Sequence, residues 1–461
     1  MTNSISFKGV WFLPIDPNKK VAGILSFNQE DGAELELIGQ LSSILDFNEI
    51  HSPEIILGIS TDGKLITLYK NYEYFKSKSI PGFGISKYNT QFILIGSHFE
   101  NEKDLFFNSL IVDFSYLNEW VNQIGFENIE SNFEKNTSDI RYKKPQNIEF
   151  KISEHLNGSF EFSFNAPMHN FIHSAVVNQI TYLRLNSLSG MTFFEIMDAM
   201  WHFNNFLVLG VYEDVYPFSV LLTNSDNFEE LNGVKYFTET KVYYKIKSAR
   251  NNNIRKHQNN FLFTYTHLNQ NFELIIQNWF KNKEKLNTIS VSLIENLLNN
   301  KFNENSFLNI IRALETYHRR FKKNELDSKE NYSLKLQNIL DSIPKEYYEW
   351  LNGLLAFSNE PSLGERLKNI FELLSESKVI NAIINPHEVI LNTKNSRNYY
   401  THFSVKLKNK ALEGVELYRL TEKLQIVLFY LILNEIGFEI SQIDKMLEAN
   451  RYKLYHHLII V

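Results

Sequence analysis

The sequence predicts an α+β protein with a β-rich mixed N-terminal region, in one or two lobes, followed by an all-α helical bundle. Short runs of alternating polar and apolar residues dominate the first half, which is typical of strands with one wet face. From about residue 271 the apolar residues recur with a helical period instead. The length of 461 residues suits two or three domains, each with its own core.

Composition indicates an ordinary soluble globular protein, with 43% hydrophobic and 22% charged residues. Cysteine is absent, which excludes disulfides, cysteine nucleophiles and thiolate metal sites, and is compatible with a reducing compartment. Residues 1–8 lack the apolar core of a signal peptide. The longest apolar run, residues 426–433, is far below the roughly 18 residues of a membrane span. We therefore expect a cytoplasmic protein.

The first lobe is predicted to cover residues 1–145. A glycine-bearing turn at residues 61–64 separates two of its strands and predicts a hairpin. The polar stretch at residues 131–144 is interpreted as the boundary of this lobe. The predicted strands lie at residues 21–27, 34–38, 55–59, 64–69, 92–95 and 110–114.

A second mixed β lobe is predicted at residues 146–270, packed with the first as one domain. Its clearest signal is Asn157-Gly158, which lies between two alternating runs and predicts the turn of a hairpin. Thr192 and Glu195 have the spacing of a capping box and predict the start of a helix that ends near residue 205. The strand at residues 215–223 contains Pro217, so we expect it at the edge of a sheet.

The helical region is predicted at residues 271–461. Helix starts are indicated by a capping box at Ser362 and by an N-cap with a following proline at Asn385. A last, largely buried helix is predicted at residues 412–436, with Gly437 ending it. One apolar stripe of an earlier helix comprises Phe307, Ile310, Ile311, Leu314, Tyr317 and Phe321.

The most informative motif is Arg397-Asn398-Tyr399-Tyr400-Thr401-His402, in which four residues separate an arginine from a histidine. A guanidinium can hold a phosphate with two hydrogen bonds, and an imidazole exchanges protons near neutral pH, so the pair suits phosphodiester cleavage. Either one helix runs from Asn385 to residue 403, or it breaks near residue 395 and a new helix begins. One such pair supplies too few groups for cleavage, which needs a base, an acid and charge stabilisation together. A symmetric dimer would supply two pairs.

A locally basic segment surrounds this motif although the whole chain has a net charge of −6. No Asp or Glu occurs between residues 389 and 412. Lys394, Lys406 and Lys408 are therefore predicted to bind a polyanion such as RNA. The alternative is a solvated basic face.

At these residues the chain resembles the HEPN ribonucleases, helical-bundle proteins marked by an Arg, four to six residues, His motif. The string at residues 397–402 is closest to the ApeA-like proteins of bacterial abortive-infection defence against phage. Residues 313–319 resemble the first HEPN helix of that branch. Trp11-Phe12-Leu13-Pro14 and Gly23-Ile24-Leu25 resemble the opening of its N-terminal domain.

The resemblance implies a metal-independent endoribonuclease without cofactor, in which His402 is the general acid/base and Arg397 binds the scissile phosphate. Asn398 would orient the cluster or touch the RNA, and the product would carry a 2′,3′-cyclic phosphate. The bundle would form a homodimer, and the N-terminal domain would sense a phage-derived trigger. The RNA would be of host or phage origin, tRNA included. The alternative is a HEPN bundle that dimerises or binds RNA without cleavage.

Several other residues are weaker candidates. Glu315 is predicted either to support the site or to pair on the helix surface with Arg312 or Arg319. His318 is interpreted as part of a solvated face, or else of a wider RNA surface. Gly82-Phe83-Gly84 lacks the third glycine of a phosphate loop and is discarded. The histidines without metal-ligand spacing are His51, His98, His155, His169 and His173.

Overall fold

The computed structural model describes residues 4–41, 52–79, 81–165, 176–231, 233–246, 257–299, 301–403 and 405–459. The chain divides into two compact units, Met1–Glu273 and Leu274–Val461. Strands make up most of the first unit and helices the second, which confirms the prediction of a β-rich region followed by a helical bundle.

Two sheets are seen in the described part of the first unit, one of twelve strands and one of two. The order in the large sheet is β10-β11-β12-β7-β13-β14-β6-β3-β2-β1-β4-β5, and every pairing in it is antiparallel. The strands are β1 (Ile5–Leu13), β2 (Asp16–Asn28), β3 (Gly32–Ile38), β4 (Ile55–Ser60), β5 (Leu65–Ser77), β6 (Ile85–Ile95), β7 (Phe106–Phe114), β8 (Phe126–Asn132), β9 (Thr137–Tyr142), β10 (Ile148–Lys151), β11 (Leu156–Asn165), β12 (Asn178–Thr192), β13 (Pro217–Leu231) and β14 (Val234–Tyr244).

Six of these strands close into a barrel, because β5 also pairs with β6. Closure leaves no unpaired edge along the closed part of the barrel. Trp11 fills its interior and is fully buried, and a Cβ added at Gly58 would lie 2.2 Å from the Trp11 ring. This close approach explains the glycine. The rest of the barrel core includes Leu25, Leu35, Leu37, Ile56, Ile66, Leu68, Tyr88 and Ile93.

Strand β6 connects the barrel to the open part of the sheet. Its first half pairs with β3 and its last four residues pair with β14, while its other edge pairs with β5. The large sheet therefore takes strands from both sides of residue 145. The polar stretch at residues 131–144 lies largely in the separate β8–β9 hairpin.

Both predicted hairpins form, β4–β5 and β10–β11, but only the first has its turn at the predicted residues. The turn at residues 61–64 joins β4 to β5, with Gly63 at a φ of 81°, as predicted. The turn at Asn157-Gly158 was wrong, because both residues lie inside β11, where Gly158 pairs with Phe150. The chain reverses earlier, where the Ser153 N–H donates to the Leu156 carbonyl at 2.9 Å.

Gly158 is a glycine for a packing reason. A Cβ at this position would lie 2.2 Å from the Phe150 ring, which crosses the strand here. The glycine was interpreted as a turn residue. It is needed instead because an aromatic ring lies against the strand backbone at this position.

The prediction that Pro217 marks an edge strand was also wrong. Strand β13 lies between β7 and β14 in the interior of the sheet. Pro217 is the first residue of β13. Its missing N–H therefore does not interrupt the row of backbone hydrogen bonds along the strand.

The longest helix of the first unit, α2, packs against β7 and β12. The Thr192 N–H donates to Glu195 Oε2 at 2.9 Å, and the Glu195 N–H donates to Thr192 Oγ1 at 3.4 Å. This confirms the predicted capping box, although the helix continues beyond residue 205. The helices of this unit are α1 (Leu117–Val121), α2 (Phe193–Val211) and α3 (Tyr265–Leu268).

The second unit is a helical bundle built around α12, whose residues 426–433 are all buried. Helix α12 packs against α5, α6, α11 and α13. It is not the last helix as predicted, since two more follow it. The helices are α4 (Phe272–Lys281), α5 (Lys283–Leu298), α6 (Glu304–Phe321), α7 (Lys329–Asp341), α8 (Tyr348–Leu355), α9 (Leu363–Leu373), α10 (Lys378–Ile383), α11 (Pro386–His402), α12 (Gly414–Glu435), α13 (Ile440–Ala449) and α14 (Arg451–Leu454).

None of the helices formed by the described residues is long and apolar enough to cross a membrane.

Candidate active site

Helix α11 carries the Arg/His motif and is continuous from Pro386 to His402. Asn385 caps it, with its Oδ1 accepting from the Glu388 N–H at 3.4 Å, and Pro386 occupies the first helical position. Of the two predicted arrangements, the structure has the unbroken helix. Arg397 and His402 lie in its last two turns, about 140° apart around the axis.

Asn398 lies between Arg397 and His402 around the helix and contacts the Arg397 guanidinium. Its Oδ1 accepts a hydrogen bond from Arg397 Nη1 at 3.2 Å. Asn398 also lies four residues before His402, which places the two about 40° apart on neighbouring turns. The guanidinium is thereby joined to the side of the helix that carries the imidazole.

His402 is the last residue of α11 and its side chain is exposed. The helix ends there because Phe403 takes a left-handed conformation, with a φ of 49°, while its N–H donates to the Tyr399 carbonyl at 2.6 Å. Within the described chain, the His402 ring has no hydrogen-bond partner. An exposed imidazole at a helix end can approach a large substrate.

A pair of hydrogen bonds fixes the chain beyond the motif, and we call Ser396, Tyr400 and Leu412 the Leu412 clamp. The Leu412 N–H donates to Ser396 Oγ at 3.0 Å, and the Tyr400 hydroxyl donates to the Leu412 carbonyl at 2.9 Å. Ser396 is completely buried, and the Tyr400 ring packs edge-on against Phe307 of α6. Both polar groups of the Leu412 backbone are thus held by the motif helix.

The predicted RNA-binding lysines flank this helix end. Lys406 and Lys408 are exposed on the short 3₁₀ helix Val405–Lys410, which lies between α11 and Leu412 in the chain. Lys394 is exposed on α11 one turn before Arg397, and its Cδ lies 3.2 Å from a Cβ built on Gly364 of α9. All three lysines therefore belong to the surface around the end of α11 or to the turn before it.

Glu315 lies on α6, in its C-terminal half. Phe307 is the residue of α6 that contacts Tyr400, and Glu315 lies eight residues further along, about 12 Å away along the axis. Its carboxylate acts electrostatically on Arg366 of α9, and Arg319 pairs with Glu360 at 3.2 Å. The structure thus places Glu315 within electrostatic reach of this buried arginine.

His318 was interpreted as a surface residue, and that interpretation is wrong, because its side chain is fully buried. His318 Nδ1 accepts from Arg366 Nη1 at 3.2 Å, and Nε2 lies 3.3 Å from the amide nitrogen of Asn369. Arg366 also donates to Asn324 Oδ1 at 2.5 Å and to Glu360 Oε2 at 2.9 Å. Burial, with the positive charges of Arg366 and Lys322, lowers the pKa of His318.

Sequence reasoning missed Arg366 and Ser396 as residues that position this region. Arg366 lies on the buried face of α9 beside Leu367 and Ile370, so its partners could not be inferred locally. Ser396 had a readable signal, since Val389, Thr393 and Ser396 recur at helical spacing and form the buried face of α11.

The remaining histidines form no evident metal centre. Across the described residues, no group of three or more His, Cys, Asp or Glu side chains is placed to hold a metal ion. His98 Nε2 lies 2.8 Å from the Gly58 carbonyl oxygen, and His155 is exposed. His51, His169 and His173 lie outside the described residues.

A β-rich unit followed by a helical bundle, with a helix that ends in an Arg-Asn-Tyr-Tyr-Thr-His string, defines a HEPN-domain protein with an N-terminal β domain. Residues 308–442 match the family described as Apea-like HEPN, and residues 6–279 match ApeA N-terminal domain 1. The chain belongs to the ApeA-like HEPN anti-phage proteins. HEPN domains are generally of ribonuclease type. No curated protein and no solved structure matches the chain.

Proposed function

We propose that this protein is a metal-independent endoribonuclease of anti-phage defence, with Arg397 and His402 at its reactive centre. The observation that carries the proposal is the end of α11. There an exposed imidazole stands one turn beyond Asn398, which accepts a hydrogen bond from the Arg397 guanidinium. The membership of the ApeA-like HEPN family supports the same chemistry.

The reaction is an internal transesterification. The 2′-hydroxyl of one ribose loses its proton to a base and attacks the adjacent phosphorus, and the 5′-oxygen leaves after it receives a proton. The products are a 2′,3′-cyclic phosphate and a free 5′-hydroxyl. His402 exchanges the protons, and Arg397 binds the phosphate and stabilises the negative charge that develops on its oxygens. Asn398 positions the guanidinium.

A homodimer completes the site in this proposal. Concerted cleavage uses one base and one acid at the same time, and each chain supplies one histidine at this place. A twofold interface that apposes two α11 ends would bring two Arg/His pairs into one cleft. Lys394, Lys406 and Lys408 would hold the RNA backbone around that cleft, and Glu315 would have a supporting role through its electrostatic effect on Arg366.

The biological role is that of an abortive-infection effector. The β-rich unit would sense a phage-derived trigger and release the nuclease, which then cleaves host or phage RNA, with tRNA as the first substrate to test. Phage mutants that escape defence would identify the trigger. Loss of escape when the trigger gene is restored would support this role, and escape mutations unrelated to any phage product that binds the protein would contradict it.

The central test is cleavage of total tRNA in EDTA, followed on a denaturing gel. His402→Ala and Arg397→Ala should each lower the cleavage rate by about 10²-fold or more, since each removes a proton-transfer or charge-stabilising group. His387→Ala is the matched control, because His387 is an exposed histidine at the other end of the same helix, about 22 Å away. Circular dichroism and mass in solution verify the fold and the dimer.

Unchanged cleavage by either site variant would refute the assignment. Binding of tRNA without fragments, by wild type in phage-infected extract as well as in buffer, would favour the alternative of a non-catalytic HEPN dimer or RNA-binding protein. One observation favours this alternative: within the described chain, no side chain or backbone group hydrogen-bonds to the His402 ring and orients it.

A further inference from the structure

The first unit contains a cavity of about 350 Å³ at the end of β7, within the size range of small-molecule sites. Asp113 and Glu119 line it, together with the aromatic residues Tyr116, Tyr216 and Phe218. We call it the acid-lined cavity. It lies where β7 runs into α1, next to the first residues of β12 and β13.

Asp113 is the unusual residue of this cavity. It lies on β7 between Val112 and Phe114, which are buried, so its side chain points to the opposite face of the sheet. Within the described residues its carboxylate has neither a hydrogen-bond donor nor an ion-pair partner. Burial and the nearby charge of Glu119 raise its pKa to about 6. A partly buried carboxylate that lacks such partners is stabilised in its ionised form by a cation that binds next to it.

Two amide side chains of the wall, those of Asn118 and Gln179, are committed to other groups. Asn118 Nδ2 donates to the Gln179 carbonyl at 3.3 Å, and Asn118 Oδ1 accepts from Thr181 at 2.6 Å. The Gln179 side chain donates to the Gln123 carbonyl at 2.7 Å and accepts from the Gly125 N–H at 3.0 Å. These bonds hold the shape of the wall and leave the carboxylate available.

The rim is also held in place. The Ser115 N–H donates to the Tyr216 carbonyl at 2.9 Å, and the Tyr216 N–H donates to Ser115 Oγ at 3.1 Å. The Tyr216 and Phe218 rings meet edge-on at 5.2 Å, and Phe218 is 54% exposed. An aromatic surface therefore stands beside the carboxylates.

Other ligand classes fit this lining poorly. A phosphate or nucleotide would meet two carboxylates and no Lys or Arg among the described lining residues. A metal ion would find two carboxylates, and the described residues contain no group of three suitable ligands. An uncharged apolar molecule would leave Asp113 desolvated. A planar or elongated organic cation can place its N–H groups on the Asp113 carboxylate and its body on the rings.

We infer that the acid-lined cavity binds an organic cation, an ammonium or a guanidinium group, through Asp113 with the Tyr216 and Phe218 rings beside it. Two sources share this chemistry, namely a free amine or guanidine and the side chain of a lysine or arginine on a peptide. This inference does not depend on the ribonuclease proposal, because the site lies wholly in the first unit.

Calorimetric titration of the full chain tests the inference with a matched pair of probes, butylguanidine and its uncharged isostere butylurea. The guanidine should bind and the urea should not. Asp113→Asn should weaken guanidine binding by about tenfold or more, the loss expected for a charge-assisted hydrogen bond. Asp139→Asn, at an exposed acid on β9, is the control and should bind as wild type does.

Phe218→Ala provides a second variant, and should weaken binding without touching the carboxylate. Agmatine and a Gly-Gly-Arg-Gly-Gly peptide then distinguish a free cation from a protein side chain, and binding of either supports the cation site. Equal binding of guanidine and urea, absence of binding by all the cations at millimolar concentration, or unchanged binding in both Asp113→Asn and Phe218→Ala would overturn the inference.

Discussion

Acidification should destabilise the helical bundle through His318. The native structure holds this imidazole neutral, because burial and the charges of Arg366 and Lys322 lower its pKa. In the unfolded chain a histidine titrates near pH 6.5. The unfolded state therefore binds more protons than the native state as the pH falls, and the free energy of unfolding decreases.

The magnitude follows from one proton. The free energy of unfolding changes by about 1.4 kcal/mol per pH unit for each proton of difference, once the pH is below the unfolded pKa. Between about pH 7 and about pH 5.5 the His318 contribution is a loss of about 1.3 kcal/mol, as long as the native imidazole stays neutral. Protonation would also remove the Nδ1 acceptor of Arg366, which is itself buried.

The variant that isolates this effect is His318→Asn. Its side-chain oxygen can take the place of Nδ1 as acceptor for Arg366, but it cannot titrate. The assay is hydrogen exchange of α6 and α9 amides in the full chain, corrected for intrinsic rates and compared at the two pH values. His387→Asn is the control, because His387 is an exposed histidine of the same bundle.

For each chain, the change in protection between the two pH values is measured, and these changes are then compared between chains. A cost of the substitution that does not depend on pH therefore cancels. Wild type and His387→Asn should lose more protection on acidification than His318→Asn does, by up to about 1.3 kcal/mol. If all three chains lose the same amount, His318 is not the group that links proton binding to the stability of the bundle, and the reasoning fails.

Three further substitutions test the packing and hydrogen bonds described above. Gly158→Ala should lower the free energy of unfolding of the β unit by about 1–3 kcal/mol in urea, because its Cβ would meet the Phe150 ring at 2.2 Å; an unchanged value would contradict the close approach. Thr192→Ala should cost about 1 kcal/mol in the same assay through the lost cap of α2. Ser396→Ala should remove about 1–3 kcal/mol of exchange protection from the Leu412 N–H, which loses its acceptor, and retained protection would refute the Leu412 clamp.

Local chemistry explains which parts of this fold were predictable. Capping boxes and N-caps at Thr192, Ser362 and Asn385 depend on residues three positions away, and all three helices begin as predicted. The turn at Gly63 depends on four neighbouring residues and was also correct.

Features that depend on distant partners were not readable. The closure of the barrel requires β6 to pair with β5 on one edge and with two different strands on the other, and no local pattern specifies this register. Gly158 looked like a turn because the ring that crosses it belongs to another strand. The burial of His318 depends on Arg366, which is 48 positions away in sequence.

The candidate site divides in the same way. The motif residues Arg397 and His402 could be selected from the sequence, since their chemistry is local and their spacing matches a family pattern. The hydrogen bond between Arg397 and Asn398 could not be predicted, because adjacent residues of a helix do not face each other. The placement of Glu315 beside Arg366 could not be read, because it depends on how α6 and α9 pack.

The Leu412 clamp has a consequence for how such proteins diversify. Both polar groups of one backbone residue are tied to the motif helix, so the path of the chain is fixed where the basic segment ends. Residues 405–411 between these fixed points include no buried side chain. Substitutions there change the charge and shape presented beside His402 and cost little folding free energy. Selection can therefore alter the charge and shape of this surface while α11 and its bundle stay as they are.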